Sequence, residues 1–113
     1  MSIQTKDRVL LSKIIDEIDV ITTVVAQITC DAFTIDKVSQ HAVMMALLNT
    51  GELAKSLSET VVRATQEIPW KQVIGLRNIA AHGYASLEMP DIWKTITEDI
   101  PVLKRVIERL LIE

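Results

Sequence analysis

The chain has 113 residues, 49% of them hydrophobic and 4% aromatic, with a formal net charge of −3. That length suits one domain around one core, so residues 1–113 are read as a single helical domain. The acidic balance excludes a nucleic-acid binder driven by bulk charge and leaves only a local basic site for such a substrate. The lone Cys30 excludes an intramolecular disulfide and suits a reducing cytoplasm.

Three glycines and three prolines in the whole chain favour long helices over many short strands. A first helix is predicted from Ser2 as N-cap to about Cys30. Leu10, Ile14, Ile18, Ile21, Val25 and Ile28 recur at steps of three and four, the helical period. Leu11, Ile15 and Val24 widen that stripe, so this helix is expected to face more than one neighbour. The β-branched run from Val20 to Val25 would suit a strand, but the surrounding period is helical.

Thr34 or Asp36 is expected to cap a second helix reaching about Ser58, with Val38, Ala42, Met45, Leu48 or Asn49, Leu53 and Leu57 on its inner side. Gly51 falls mid-helix, which costs about 1 kcal/mol against alanine unless a neighbour packs closely there. Residues 58–67 form a shorter helical piece or a connection. Pro69 opens a third helix with Trp70, Val73, Ile74, Leu76 and Ile79 on its apolar side, and Gly83 is placed as its C′ residue. Pro90 opens a fourth helix with Ile92, Trp93 and Ile96. Pro101 is expected to break or kink the chain, with Asp99 as a possible cap, before a last helix carrying Val102 or Leu103, Val106, Ile107, Leu110 and Leu111. The fold class is therefore all-α, an antiparallel bundle of four to five helices.

Two further expectations concern surroundings. So much apolar sequence in so short a chain predicts that some of it is covered by a partner, and a symmetric homodimer is the default. The N-terminus, with Lys6, Asp7 and Arg8, has no signal-peptide pattern. Apolar runs such as residues 42–48 fall far short of the roughly 20 residues a membrane span needs, so no membrane association is expected.

Most catalytic patterns are missing: no phosphate-binding glycine loop, no dinucleotide fingerprint, no paired-cysteine zinc motif and no His-Glu-x-x-His. Two histidines and one cysteine far apart predict no metal site and no cofactor. One segment concentrates polar chemistry, Arg77-Asn78-Ile79-Ala80-Ala81-His82-Gly83-Tyr84. Asn78 and His82, four residues apart, share a helix face, with Arg77 on the neighbouring stripe. A guanidinium grips two phosphate oxygens and stabilises charge building on phosphorus. Imidazole titrates near neutrality and can take or return a proton. RNA brings its own nucleophile, the 2′-hydroxyl, so such a pair could cleave it without a metal. Two-fold symmetry would supply a second histidine to the same cleft.

At these residues the chain resembles the HepT-type HEPN proteins. The resemblance rests on Arg77, Asn78, His82 and Tyr84 in their spacing, on Ile68-Pro69-Trp70 followed by Ile74-Gly75-Leu76, on Gly51-Glu52-Leu53-Ala54, and on Asp91-Ile92-Trp93 with Pro101-Val102-Leu103. It covers roughly the last two-thirds of the chain and departs at Asn49-Thr50, where that family is expected to be more apolar. The resemblance implies a helical homodimer with a ribonuclease site at the interface, acting on RNA as the toxin of a toxin–antitoxin pair. It implies Arg77 and His82 as the catalytic pair, with Asn78 beside them. It also implies Tyr84 as the residue to which a minimal nucleotidyltransferase antitoxin attaches AMP, silencing the toxin.

Plainer readings stand beside these. His82 on spacing alone would be a helix-end structural residue; the wider pattern assigns it to catalysis. Arg77 could donate a salt bridge, to Glu52, and still serve the site. Asn78 could simply hydrogen-bond at a helix end, and Tyr84 could be a packed ring. Trp70 and Trp93 are read as packing residues, His41 as solvated, Met44 and Met45 as core or dimer filler. Lys104, Arg105 and Arg109 are read as a charged helix face balanced by Glu108 and Glu113. The alternatives to a nuclease are a non-catalytic helical module that binds nucleotide or RNA or organises a partner, and a purely structural interaction protein.

Overall fold

The computed structural model describes residues 3–82 and 88–112, with the side chain of His82 outside that set. Ser2, Gly83 and Tyr84 therefore lie outside the described residues. Within them every regular element is helical, and there is no strand.

The first helix, α1 (Thr5–Gln27), begins at Thr5 after Gln4 and ends three residues before the expected Cys30. Ile28 and Thr29 are extended, and the Thr29 hydroxyl accepts a hydrogen bond from the Ala32 backbone at 3.2 Å, starting the short helix α2 (Cys30–Phe33). A Thr cap directly after Ile28 thus ends the periodic run early. The β-branched stretch stays helical: Thr22 and Thr23 donate their hydroxyls to the carbonyls four residues back, and Ile18 and Ile21 are fully buried.

Asp36 caps α3 (Lys37–Lys55) by accepting from Val38 N at 3.2 Å. Its buried face is Gln40, Val43, Met44, Ala46, Leu47, Thr50, Gly51 and Ala54. Of the expected stripe, Leu57 is buried and Leu48 and Leu53 pack against the core, whereas Val38 is 80% and Met45 58% exposed. The period was right, but three adjacent stripes of this helix are apolar, and only packing chooses among them. Ser58 caps α4 (Glu59–Ala64). The chain then turns at Pro69 into α5 (Trp70–His82), where the Pro69 carbonyl accepts from Gln72 and Val73.

After α6 (Met89–Lys94), which has Pro90 in its first turn, the backbone neither breaks nor restarts at Pro101. A π-helical turn (Thr95–Asp99) runs straight into α7 (Ile100–Leu111). Asp99 is itself helical and caps nothing. The wider π turn accommodates a proline that has no N–H to give and whose ring would crowd the carbonyl of an ordinary α turn.

The long helices pack as an antiparallel bundle. Asp7 on α1 meets Ser58 beyond the end of α3, and Glu17 meets Asn49, so α1 and α3 run in opposite directions. Arg8 donates to the Leu111 carbonyl at 2.7 Å and Lys104 reaches Asp19 at 3.2 Å, tying α7 antiparallel to α1. The core between them includes Leu11, Ile14, Ile18, Phe33, Leu47 and Ile107. Trp70 and Trp93 are packed as expected: Trp70 Nε1 donates to Thr65 Oγ1 at 2.9 Å, and the Trp93 ring lies 5.5 Å from that of Phe33. No helix among the described residues is long and apolar enough to cross a membrane.

Candidate active site

The geometry of the site begins at the crossing of α3 and α5. A β-carbon on Gly51 would lie 2.7 Å from Arg77 N, 2.8 Å from Arg77 Cβ and 3.0 Å from the Ile74 carbonyl oxygen. Two helices approach this closely only where one lacks a side chain. The glycine that looked costly inside α3 is thus the seat of α5, at the residue that carries the guanidinium.

The residue after Gly51 completes the arrangement. Glu52 Oε1 lies 2.8 Å from Arg77 Nε. The ion pair allowed by the sequence is therefore formed, and it engages one nitrogen of the guanidinium. Arg77 Nη1 approaches Asn78 Oδ1 at 3.4 Å, a long contact. The two side chains of the ion pair are 38% and 48% exposed, so solvent screens the pair and its role is geometric more than energetic.

Of the residues singled out from sequence, the structure brings Arg77, Asn78 and Glu52 together. His82 is the last residue of α5, one helical turn beyond the exposed Asn78. Tyr84 lies outside the described residues.

Sequence reasoning missed the polar support around Glu52. Asn49, one turn before it on α3, donates through Nδ2 to Glu17 Oε1 at 2.9 Å. Thr50 is fully buried because its hydroxyl donates to the Ala46 carbonyl at 2.8 Å. The Asn49-Thr50 departure from an apolar pattern thus carries satisfied polar groups, one facing α1 and one turned back on its own helix. Lys13, Asp16, Glu17, Asn49, Glu52 and Leu53 line a depression of about 300 Å³ between α1 and α3. Among the described residues no group of three or more His, Cys, Asp or Glu is disposed to hold a metal ion.

Chemically, a cationic fork on a water-exposed helix, fixed from behind by a carboxylate and flanked by an amide, suits an anionic group approached from solvent.

A family model described as Ribonuclease HepT-like matches residues 14–110. The chain is 35% identical over 100 residues to the "Probable ribonuclease HepT" of Thermococcus cleftensis, spanning 88% of this chain and 91% of that protein. It is 33% identical over 76 residues to the "Putative RNase MJ1380" of Methanocaldococcus jannaschii, spanning 67% of this chain and 70% of that one. No solved structure matches the chain.

Proposed function

The chain belongs to the HepT-like ribonuclease family, and from that premise we propose that it is a metal-independent endoribonuclease with Arg77 and His82 as its catalytic pair. The observation that carries this reading is the Arg77–Glu52 pair, which holds a partly exposed guanidinium on α5 beside Asn78.

The chemistry follows from RNA itself. A histidine takes the proton of the 2′-hydroxyl, and the oxygen attacks the adjacent phosphorus. The bond to the 5′-oxygen breaks, that oxygen is protonated, and a 2′,3′-cyclic phosphate remains. Arg77 binds the non-bridging oxygens as negative charge accumulates on them. One His82 per chain supplies one proton-transfer group, and a two-fold dimer supplies the second. A dimer also doubles the arginines facing the RNA, countering the acidic charge of the chain.

In this reading the chain is the toxin of a toxin–antitoxin pair in the cytoplasm. A nucleotidyltransferase antitoxin silences it by transferring AMP from ATP to the Tyr84 hydroxyl with release of pyrophosphate. The added phosphate and adenosine would repel and block an RNA backbone next to Arg77.

Substitution tests the assignment. Arg77→Ala and His82→Ala should each abolish cleavage of RNA by the purified dimer while leaving its helical content intact. If either variant cuts as fast as the parent, that residue is not part of the catalytic pair.

A further inference from the structure

Asn49-Thr50, the polar pair where an apolar stretch was expected, is only half explained by the fold. Thr50 turns its hydroxyl onto the Ala46 carbonyl at 2.8 Å and is fully buried. Asn49 is half-buried and gives one N–H of its amide to Glu17 Oε1 at 2.9 Å. An ionised carboxylate only accepts, so this bond fixes which end of the amide is nitrogen. The second N–H and the carbonyl oxygen Oδ1 have no hydrogen-bond partner among the described residues. No buried side-chain polar atom among those residues lacks a partner, so this unused edge is open to solvent. It belongs to a residue that lines the depression between α1 and α3.

We propose that this depression receives one nucleobase of the RNA substrate and that Asn49 reads its edge. The proposal rests on the ribonuclease reading above and adds a specificity-determining residue to it. Glu52 joins the two places: its Oε1 holds Arg77 Nε at 2.8 Å, and the same side chain lines the depression. Asn49 stands one helical turn before Glu52 on α3, so the two side chains are neighbours. A phosphate held by Arg77 therefore brings a base of its own or the adjoining nucleotide to Asn49. The depression, of about 300 Å³, includes the partly buried side chain of Leu53 in its lining, an apolar surface for a flat ring. Sequence-specific RNA recognition works on unpaired bases of this kind, turned out of the strand and hydrogen-bonded along an edge.

Charge and hydrogen-bond pattern select the occupant. The lining sets the carboxylates of Asp16, Glu17 and Glu52 against the single ammonium of Lys13. A phosphate is repelled there, whereas the N–H groups of a neutral base are attracted. The Asn49 edge offers an acceptor, Oδ1, beside an N–H donor. An exocyclic amino group next to a ring nitrogen satisfies both, which is the pattern of adenine and cytosine; asparagine meets adenine this way through N6 and N7. Guanine presents two acceptors, O6 and N7, on the corresponding edge, and uracil has no amino group. Both turn carbonyl oxygens toward the carboxylates.

Two measurements on the full chain test this: sequencing of the ends produced from a randomised single-stranded RNA, and fluorescence anisotropy with short uncleavable 2′-O-methyl oligonucleotides of A, C, G or U. The parent should favour A or C over G and U by about five- to a hundredfold at one position within about two nucleotides of the cut. It should bind the A or C oligonucleotide more tightly than the G or U one. Asn49→Leu, which keeps the bulk of the side chain and removes the amide, should bring the four bases within about threefold of one another. Glu17→Gln lets the Asn49 amide turn either way and should also reduce the preference, which decides the matter if the leucine variant folds poorly. A preference for G or U, no preference, or a preference unchanged in either folded variant would overturn the subsite. RNA cut without regard to base would remove the subsite and leave the ribonuclease. A parent that never cuts RNA, yet binds the A or C oligonucleotide selectively and loses that selectivity with Asn49→Leu, would keep the subsite and remove the nuclease reading.

Discussion

Gly51 and Arg77 meet backbone to backbone: the space a β-carbon would need on α3 is taken by the amide nitrogen and Cβ of the arginine on α5. The following residue, Glu52, then engages the far end of the same arginine through Nε. Two consecutive residues of α3 thus set where Arg77 starts and where it points.

Gly51→Ala should therefore damage both stability and activity. The obstructing atoms belong mainly to backbone, so α5 must shift, and overpacking of this kind costs about 1–3 kcal/mol. Alanine's better helix propensity returns up to about 1 kcal/mol. Urea denaturation should show a net loss on the order of 1–2 kcal/mol, with cleavage per folded molecule reduced further. An alanine variant as stable and as active as the parent would mean that the crossing is not set here.

Glu52→Gln separates position from stability. The pair is substantially exposed, so the unfolding free energy should change by less than about 1 kcal/mol. Cleavage should fall by roughly ten- to a hundredfold as the guanidinium loses its fixed orientation, mostly in kcat. Unchanged turnover would show that Glu52 does not position Arg77.

Asp7 makes the opposite prediction. It is 2% exposed and accepts from Ser58 N at 2.9 Å and Ser58 Oγ at 2.7 Å, joining α1 to the start of α4. Asp7→Ala leaves both donors without their partner and should lower stability by about 1–3 kcal/mol in urea titrations. Cleavage per folded molecule should be unaffected, because Asp7 bonds to Ser58 and not to Arg77, Asn78 or Glu52.

The bundle was legible because the apolar residues of α1 and α7 repeat at the helical period, and Pro69 and Pro90 mark helix starts. What periodicity could not choose was which of three apolar stripes of α3 turns inward, since Val38 and Met45 fit the period as well as Val43 and Leu47. Thr29 hid as a cap because it directly follows Ile28, the last residue of the periodic apolar run. Pro101 misled because a π turn has no signature of its own. At the site, Arg77, Asn78 and Glu52 could be named from sequence, but the seat provided by Gly51 depends on a crossing that no local pattern encodes. The Asn49–Glu17 bond was equally invisible, since it joins residues 32 apart.

Acid should weaken the start of α3. The Asp36 carboxylate is held below its ordinary value of 3.8 chiefly by the Ser39 hydroxyl, with the Val38 and Ser39 amides adding to the effect. A lowered folded-state value means stabilisation present above the unfolded value and lost as pH falls through the folded one. The melting temperature of Asp36→Ala should thus lie below the parent's near neutral pH, and the gap should narrow as pH falls below 3.8. A gap that stays constant down to about pH 2 would contradict the linkage.

In the proposed reaction the 2′-hydroxyl is the nucleophile, and the termini of the cleaved RNA report on it directly. The purified protein, incubated in EDTA with an RNA and with the same oligonucleotide carrying one 2′-deoxy sugar at the cleavage position, should cut only the first and leave a 2′,3′-cyclic phosphate. Cleavage of the deoxy-substituted strand, or a product ending in a 3′-hydroxyl, would contradict it.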